Sequence, residues 1–288
     1  MILLTGASGF IGGAVARKLK TLGYHFVSVG TSTPKEECTH YEIVRGGPIP
    51  LIDGVDSIIH CAANPNPKPD YDNPNEIFED NLFLTNRLLS TYRNQIKNFT
   101  FLSSIKIYGD RVAKSFEEDI PRPDCLYGVS KVAAEELVRS YSRTFGFDHC
   151  ILRLCPVVGK EQTHGIVKDF IERAKTVTDK FNIDGKFPGS IRPYVHIDDV
   201  VNAILLADEQ SIQGTFNVSS DNEISNAKLA NTILTELGKI NVVDFPNNTE
   251  PWKGDSRSMR PSNKKLRSHG WDPKFRTAEL AVRNALYF

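Results

Sequence analysis

Ile2-Leu-Leu-Thr-Gly-Ala-Ser-Gly-Phe-Ile-Gly12 runs from an apolar segment straight into spaced glycines, and Ala14 to Leu22 then carries apolar residues at intervals of three and four. A buried strand, a glycine turn and an amphipathic helix in that order form the phosphate cradle of a βαβ unit. Gly6 permits the tight turn, Gly9 lets a pyrophosphate reach backbone amides at the positive helix end, and Gly12 lets the helix lie close on the strand. Ser8, Phe10 and Ile11 supply the rest of the cradle's backbone. A glycine-rich turn with no ligand is the bland alternative, and the strand and helix on either side weigh against it. The loop alone names no reaction.

Working outward, short apolar runs recur at Phe26 to Val29, Ile58 to Cys61, Phe99 to Leu102 and Cys150 to Leu154, with helical patterns at Asn81 to Tyr92 and Val129 to Phe145 between them. Continuous apolar runs read as parallel strands buried on both faces, and their alternation with helices predicts an α/β fold with a doubly wound parallel sheet of the Rossmann type. After about residue 155 the pattern loosens, with turns at Asp184-Gly185 and Pro188-Gly189 and helices near Asp198 to Asp208 and Ala227 to Leu237. We therefore expect a dinucleotide-binding domain over 1–155, to which parts of the later chain return, and a smaller C-terminal α/β substrate lobe over 156–288. The Pro- and Asn-rich run Asn64 to Asp70 follows a strand end and suits a loop at the mouth of a site.

Composition narrows the partners. The 288 residues carry 35 basic and 35 acidic side chains, so no global field favours nucleic acid or an anionic membrane. Cys38, Cys61, Cys125, Cys150 and Cys155 are scattered without a metal-ligand spacing, which predicts no metal site and a reducing, cytoplasmic setting. No secretory leader pattern precedes Ile2, and no apolar run approaches the ~20 residues of a membrane span.

Tyr127-Gly-Val-Ser-Lys131 opens a helix, and the spacing puts the phenol and the ammonium on one face. A phenol is a poor base at neutral pH because its pKa is about 10. A cation within about 4–6 Å favours phenolate, so Lys131 would activate Tyr127 for proton exchange with a substrate hydroxyl. Phe101-Leu-Ser-Ser104 ends a strand in hydroxyls at the carboxyl edge of the sheet, where open α/β sheets place ligands, so Ser104 can bond the reacting oxygen. A strand-end serine alone is more often a cap, and a Tyr/Lys pair alone is common. The two following a cofactor loop in this order are not.

In these motifs the chain resembles the short-chain dehydrogenase/reductase superfamily, in its extended branch of NAD(P)-dependent nucleotide-sugar epimerases, dehydratases and reductases. The resemblance continues through Val55 to Ala63, Asn81, Arg153 to Gly159, Arg192 to Val201, Gly214 to Ser219 and Lys265 to Pro273. It implies cofactor contacts at Cys61, Ala62, Ala63, Asn81, Tyr127, Lys131 and Pro156, and substrate contacts at Ser104, Tyr127 and Arg192, the last on a nucleotide diphosphate. Arg257 and Arg260 are weaker candidates for the same phosphates. NAD-binding members usually end the second strand in an acid. Here that strand ends in Gly30-Thr-Ser-Thr33, so Thr31, Ser32 and Lys35 would instead receive the 2′-phosphate of NADP, and the sequence leans to NADP over NAD.

The departures bear on the reaction. Pro156 replaces the usual substrate-contacting asparagine, and Ile105-Lys106 replaces the Asp-Glu with which 4,6-dehydratases move protons, so dehydration is not expected. The resemblance implies a nucleotide-sugar 4-epimerase, working by hydride transfer at sugar C4 with Tyr127 as acid/base. A NADPH-dependent 4-keto nucleotide-sugar reductase and a non-catalytic dinucleotide sensor are the alternatives. The helices around Asn81 to Tyr92 and Val129 to Phe145 also imply a homodimer.

Overall fold

The computed structural model describes residues 1–66, 74–247, 249 and 255–286. Its elements in chain order are β1 (Ile2–Thr5), α1 (Phe10–Thr21), β2 (Phe26–Gly30), β3 (Thr39–Glu42), β4 (Ser57–His60), α2 (Pro74–Phe78), a π-helical turn (Glu79–Phe83) and α3 (Leu84–Tyr92). Next come β5 (Asn98–Ser104), α4 (Leu126–Phe145), β6 (Asp148–Leu154), β7 (Val157–Val158), α5 (Ile166–Thr176), β8 (Phe181–Asn182), β9 (Ile191–Arg192), β10 (Val195–His196) and α6 (Ile197–Glu209). The chain closes with β11 (Gly214–Val218), β12 (Ile224–Ser225), α7 (Asn226–Glu236), β13 (Val243–Asp244), α8 (Lys264–Ser268) and α9 (Ala278–Ala285).

Seven strands form one sheet in the order β11-β6-β5-β4-β1-β2-β3. Every pairing in it is parallel, so the architecture is the doubly wound α/β sheet that the alternating pattern predicts. The order reverses between β1 and β4, which opens a crevice at their carboxyl ends, and ligands of open α/β sheets bind at such a point. Leu3, Ile58, Leu88, Tyr92, Phe101 and Val138 pack under α3 and α4 on one face. Leu4, Val15, Ile59, Leu152, Val200 and Phe216 pack under α1 and α6 on the other. A separate core of Val167, Phe170, Phe181, Leu229, Ile233 and Val282 holds α5, α7 and α9 together. Residues of α6 and β11 thus lie on the main sheet although they follow the first segments of the smaller core.

Among the elements that the sequence pattern does not announce, β3 and α5 matter most. The strand β3, Thr-His-Tyr-Glu, is a partly exposed edge with no apolar run to announce it. Helix α5 occupies the stretch 160–191 that reads only as a short substrate segment, and it buries Val167, Phe170 and Ala174 on one face. Of the Pro- and Asn-rich run, Asn64 to Asn66 are described and Pro67 to Asp70 lie outside the described residues.

The packing of α4 rests on one ion pair. Arg153 on β6 donates through Nε and Nη2 to the Glu135 carboxylate of α4 at 2.9 and 2.7 Å, and the residues are 2% and 1% exposed. Ser103 on β5 donates to the same carboxylate at 2.6 Å, and Arg139 adds a contact at 2.7 Å. The other side of the Arg153 guanidinium donates to the Tyr108 hydroxyl and the Glu117 carbonyl at 2.9 and 2.8 Å. Removing one partner of such a pair leaves an uncompensated buried charge. Glu135→Ala is therefore expected to lower the unfolding free energy by about 3–5 kcal/mol. Urea denaturation measures this, and a loss below about 1 kcal/mol, the scale of an exposed pair, would show that the pair does not hold the helix.

Candidate active site

The glycine turn is shaped by close approach. Gly6 has φ +71°, and a Cβ on it would stand 2.7 Å from the Ala62 backbone nitrogen. A Cβ on Gly12 would stand 2.1 Å from the Gly6 carbonyl oxygen, so the helix reaches the strand only because that atom is missing. Helix α1 opens at Gly9 with no side-chain cap, which leaves the amides of its first turn for an anion. Ser8, Phe10 and Ile11 lie in this turn. The residues present fit a dinucleotide pyrophosphate.

Across the crevice, Cys61, Ala62 and Ala63 leave β4, and a chain of hydrogen bonds fixes their path. The Ala62 amide donates to Thr5 Oγ1 at 3.1 Å, and the Thr5 hydroxyl meets His60 Nδ1 at 2.7 Å. His60 Nε2 meets Thr85 Oγ1 at 2.9 Å, and the Thr85 hydroxyl donates to the Asn81 carbonyl at 2.7 Å. Since Thr85 gives its only proton to Asn81, His60 must donate through Nε2 and accept through Nδ1, which assigns its tautomer. Burial, with the nearby Lys131 charge, pushes the His60 pKa down to about 3 and keeps the ring neutral.

Asn81 sits on the π-helical turn and is 1% exposed. Its Oδ1 accepts from the Asn64 amide at 2.7 Å, and its amide nitrogen donates to the Asn64 carbonyl at 3.2 Å and to Ser130 Oγ at 3.0 Å. Ser130 donates in turn to the Tyr127 carbonyl at 2.8 Å. Asn81 therefore joins the loop after β4 to the first turn of α4, where the reactive residues stand.

Tyr127 and Lys131 lie one turn apart on α4, and Ser104 closes β5 opposite them. The Ser104 hydroxyl lies near enough to the Tyr127 phenol to favour its ionised form. The Lys131 ammonium lies 5.9 Å from the centre of the Tyr127 ring and donates to the Leu102 carbonyl at 2.9 Å. Burial dominates the electrostatics of the group. It pushes the Tyr127 phenol up to about 12 against the effect of the Ser104 hydroxyl, and the Lys131 ammonium down to about 8 against the favourable charge of Glu135. The phenolate expected from the Tyr/Lys spacing is thus not the resting state of the protein alone. Burial also raises the Cys61 thiol to about 12, which makes it a packing residue beside Lys131.

The remaining candidates fall in three places. Thr31, Ser32 and Lys35 are exposed beyond β2, but Lys35 approaches Glu161 at 3.8 Å, and Arg17 on α1 is paired with Glu36 and Glu161 at 3.6 and 3.2 Å. Pro156 follows β6, and its carbonyl accepts from the Val195 amide at 3.0 Å. Arg192 on β9 is ion-paired with Asp255 and donates to the Ser256 carbonyl at 3.3 Å. Residues 255–262 lie beside it as a strap. The Arg257 carbonyl accepts from the Ile191 amide at 2.7 Å, and the Arg260 carbonyl accepts from the Ser115 amide at 2.8 Å. Arg192 and Arg260 each keep a buried Nε with no hydrogen-bond partner, whereas Arg257 is exposed. His60, Ser256 and Asp124, which accepts from Ser256 Oγ at 2.7 Å, also border the site, and no motif assigns them a role. Only pairing across the fold reveals them. Among the described residues no group of His, Cys, Asp and Glu forms a metal site, and no helix is long and apolar enough to cross a membrane.

A parallel doubly wound sheet with a glycine cradle at its switch point, and Ser, Tyr and Lys across the crevice, defines an enzyme of the extended short-chain dehydrogenase/reductase superfamily. The chain belongs to the NAD dependent epimerase/dehydratase family, which matches residues 2–219. It is 28% identical over 292 residues to a putative UDP-glucose 4-epimerase of Methanocaldococcus jannaschii, an alignment spanning 95% of this chain and 93% of the relative. The crystal structure of Thermus thermophilus UDP-glucose 4-epimerase in complex with NAD superposes with a TM-score of 0.85 at 26% identity, covering 99% of this chain and 97% of that one. The Thermotoga maritima UDP-glucose 4-epimerase with UDP-glucose gives 0.85 at 27% identity, with the same 99% and 97% coverage.

The lowered Lys131 pKa has a consequence for the protein without cofactor. Between about 8 and its ordinary 10.5, the unfolded chain holds a proton on Lys131 that the folded chain has released. Stability contributed by this residue therefore rises with pH across that window. The unfolding free energy of wild type minus that of Lys131→Met should climb between pH 8 and pH 10, and a flat difference in denaturant titrations would show that the amine is not desolvated.

Proposed function

We propose that the protein is a nucleotide-sugar 4-epimerase acting on a UDP-hexose, with Ser104, Tyr127 and Lys131 as its reacting group. The observation that carries this reading is the placement of Ser104 at the carboxyl end of β5 opposite Tyr127 and Lys131 on the first turns of α4, with the Lys131 ammonium 5.9 Å from the centre of the phenol ring. The similarity to UDP-glucose 4-epimerases over nearly the whole chain supports the substrate class.

The bound nicotinamide would accept the hydride from sugar C4 and return it to the other face of the ring. Tyr127 takes the proton from the C4 hydroxyl as the ketone forms and gives it back when the ketone is reduced, and Ser104 holds that oxygen in line. Lys131, one helical turn from the phenol, is the cation that would favour ionisation of Tyr127 against its buried value of about 12. Arg192, Arg257 and Arg260 are the candidates for the diphosphate, and Arg192 exchanges Asp255 for a phosphate oxygen when substrate enters. Gly6, Ser8, Gly9, Phe10, Ile11, Gly12, Cys61, Ala62, Ala63, Asn81 and Pro156 line the dinucleotide. Ile105 and Lys106 stand where a dehydratase would need acids, and both are buried.

For the cofactor, the structure moves our reading from the NADP favoured by sequence to NAD. No acid ends β2, but Lys35 is paired with Glu161, and Arg17 on α1 with Glu36 and Glu161, which weakens the attraction that they could offer a 2′-phosphate. The Thermus enzyme's complex with NAD agrees. The enzyme is placed in the cytoplasm, in keeping with its five scattered cysteines, and it is read as a homodimer because Phe83 and Val129, on neighbouring helical elements, are 50% and 40% exposed. Light scattering should then return twice the chain mass of 32.2 kDa. A monomer would leave those side chains without that role.

Tyr127→Phe is expected to slow conversion of UDP-glucose to UDP-galactose by about 10²–10⁴-fold while cofactor affinity stays nearly constant. Turnover within about threefold of wild type would remove Tyr127 from the mechanism, since a lost proton-transfer route costs far more. Acid release from the purified protein should yield NAD. Stoichiometric consumption of added NADPH with a 4-keto sugar nucleotide would establish the reductase instead, and dinucleotide binding without any turnover would establish a sensor.

A further inference from the structure

Lys106 lies two residues beyond Ser104, is 7% exposed, and takes no part in the reaction described above. Its ammonium donates to Ser256 Oγ at 2.8 Å and approaches the Asp124 carboxylate at 3.2 Å. Ser256 donates to the other oxygen of Asp124 at 2.7 Å, which closes a triangle of side chains. Each corner leads to a different part of the site. The Lys106 amide donates to Ser104 Oγ at 3.2 Å, Asp124 precedes Tyr127 by three residues, and the Ser256 carbonyl accepts from Arg192 at 3.3 Å.

We infer that Lys106 is a positioning residue that sets the distance between the diphosphate anchor at Arg192 and the reacting oxygen at Tyr127, an inference that rests on the epimerase reading above. A nucleotide sugar has a fixed covalent length from its phosphates to its sugar carbons. If its anchor shifts by about 1 Å relative to the phenol, the bound sugar no longer meets the reacting group, and rate falls by up to about 10²-fold. The strap that carries Ser256 is held elsewhere by backbone hydrogen bonds. Arg111 N donates to Ser258 O at 3.0 Å, Met259 N to Ile191 O at 3.2 Å, and Ser258 N to Asp110 Oδ1 at 2.9 Å. Those bonds keep the strap folded when Lys106 is changed, and the triangle ties the Ser256 end of the strap directly to Lys106 beside Ser104 and to Asp124 before Tyr127. A plain structural reading gives Lys106 only the task of neutralising Asp124, and the two readings separate in one variant series.

Lys106→Met should lower kcat for UDP-glucose by at least about tenfold, as misplacement predicts, while UDP alone binds within about threefold of wild type in calorimetric titration. Lys106→Arg should recover part of the rate. The double variant Lys106→Met, Asp124→Asn removes both charges, and it should stay as slow as Lys106→Met. The advantage of UDP-glucose over UDP in binding should also shrink in Lys106→Met, a readout that needs no turnover. Four results would overturn the inference: an unchanged kcat, a loss of UDP affinity in step with kcat, restoration of rate by the double variant, or an unaltered UDP-glucose advantage. Wild-type protein that binds UDP-glucose but does not epimerise it would instead reject the epimerase reading, and the binding comparison would still decide the role of Lys106.

Discussion

The pairing of Glu135 with Arg153 is the constraint on which the reacting group depends. A phenol, a serine hydroxyl and an ammonium work together only if α4 keeps one rotation and one height on the sheet. Apolar packing under Val138 and Ala134 is non-directional and would tolerate a slide. The carboxylate of Glu135 meets donors from β5 and β6 together, through Ser103 and Arg153, and so admits one position. Lys131 stands one turn before Glu135, and Tyr127 one turn before that. Desolvating such a pair is costly, and that cost is offset because both groups are fully hydrogen-bonded.

The glycine turn and the loop after β4 complete the crevice from the opposite side. Gly6 comes so close to Ala62 that the two loops are one surface, and Asn81 carries that surface across to Ser130 and α4. The regular α-helical ladder is interrupted there by the π-helical turn Glu79–Phe83, which carries Asn81. π-helical turns are frequent at functional sites. The glycine turn is therefore linked through the loop after β4 and Asn81 to the first turn of α4, although these segments come from distant parts of the chain.

How much of this is legible in the sequence follows from range. The strand-glycine-helix order and the Tyr127 to Lys131 spacing are local, and the apolar runs of the inner strands read directly because both faces of a parallel sheet are covered. The edge strand β3 is invisible for the converse reason, since Thr39 and Glu42 face solvent. The sequence-level argument for an activated Tyr127 counted the neighbouring cation but not the burial of both groups, which depends on walls built by remote segments. The surroundings of Lys35 are likewise out of local reach, since Glu161 is brought to it from well over a hundred residues away. Asp124 and Ser256 carry no motif, and they become meaningful only where the strap crosses the site.

The chain of hydrogen bonds from Ala62 through Thr5, His60 and Thr85 to Asn81 has a property set by its ends. It begins on a backbone amide and finishes on a backbone carbonyl, neither of which gives up or keeps a proton near neutral pH. The floor of the crevice is thus a polar wall that conducts nothing. A proton released in the crevice has no relay through the protein interior in that direction. On the reaction proposed above, in which the sugar takes back the proton it gave, such a floor keeps that proton within the site.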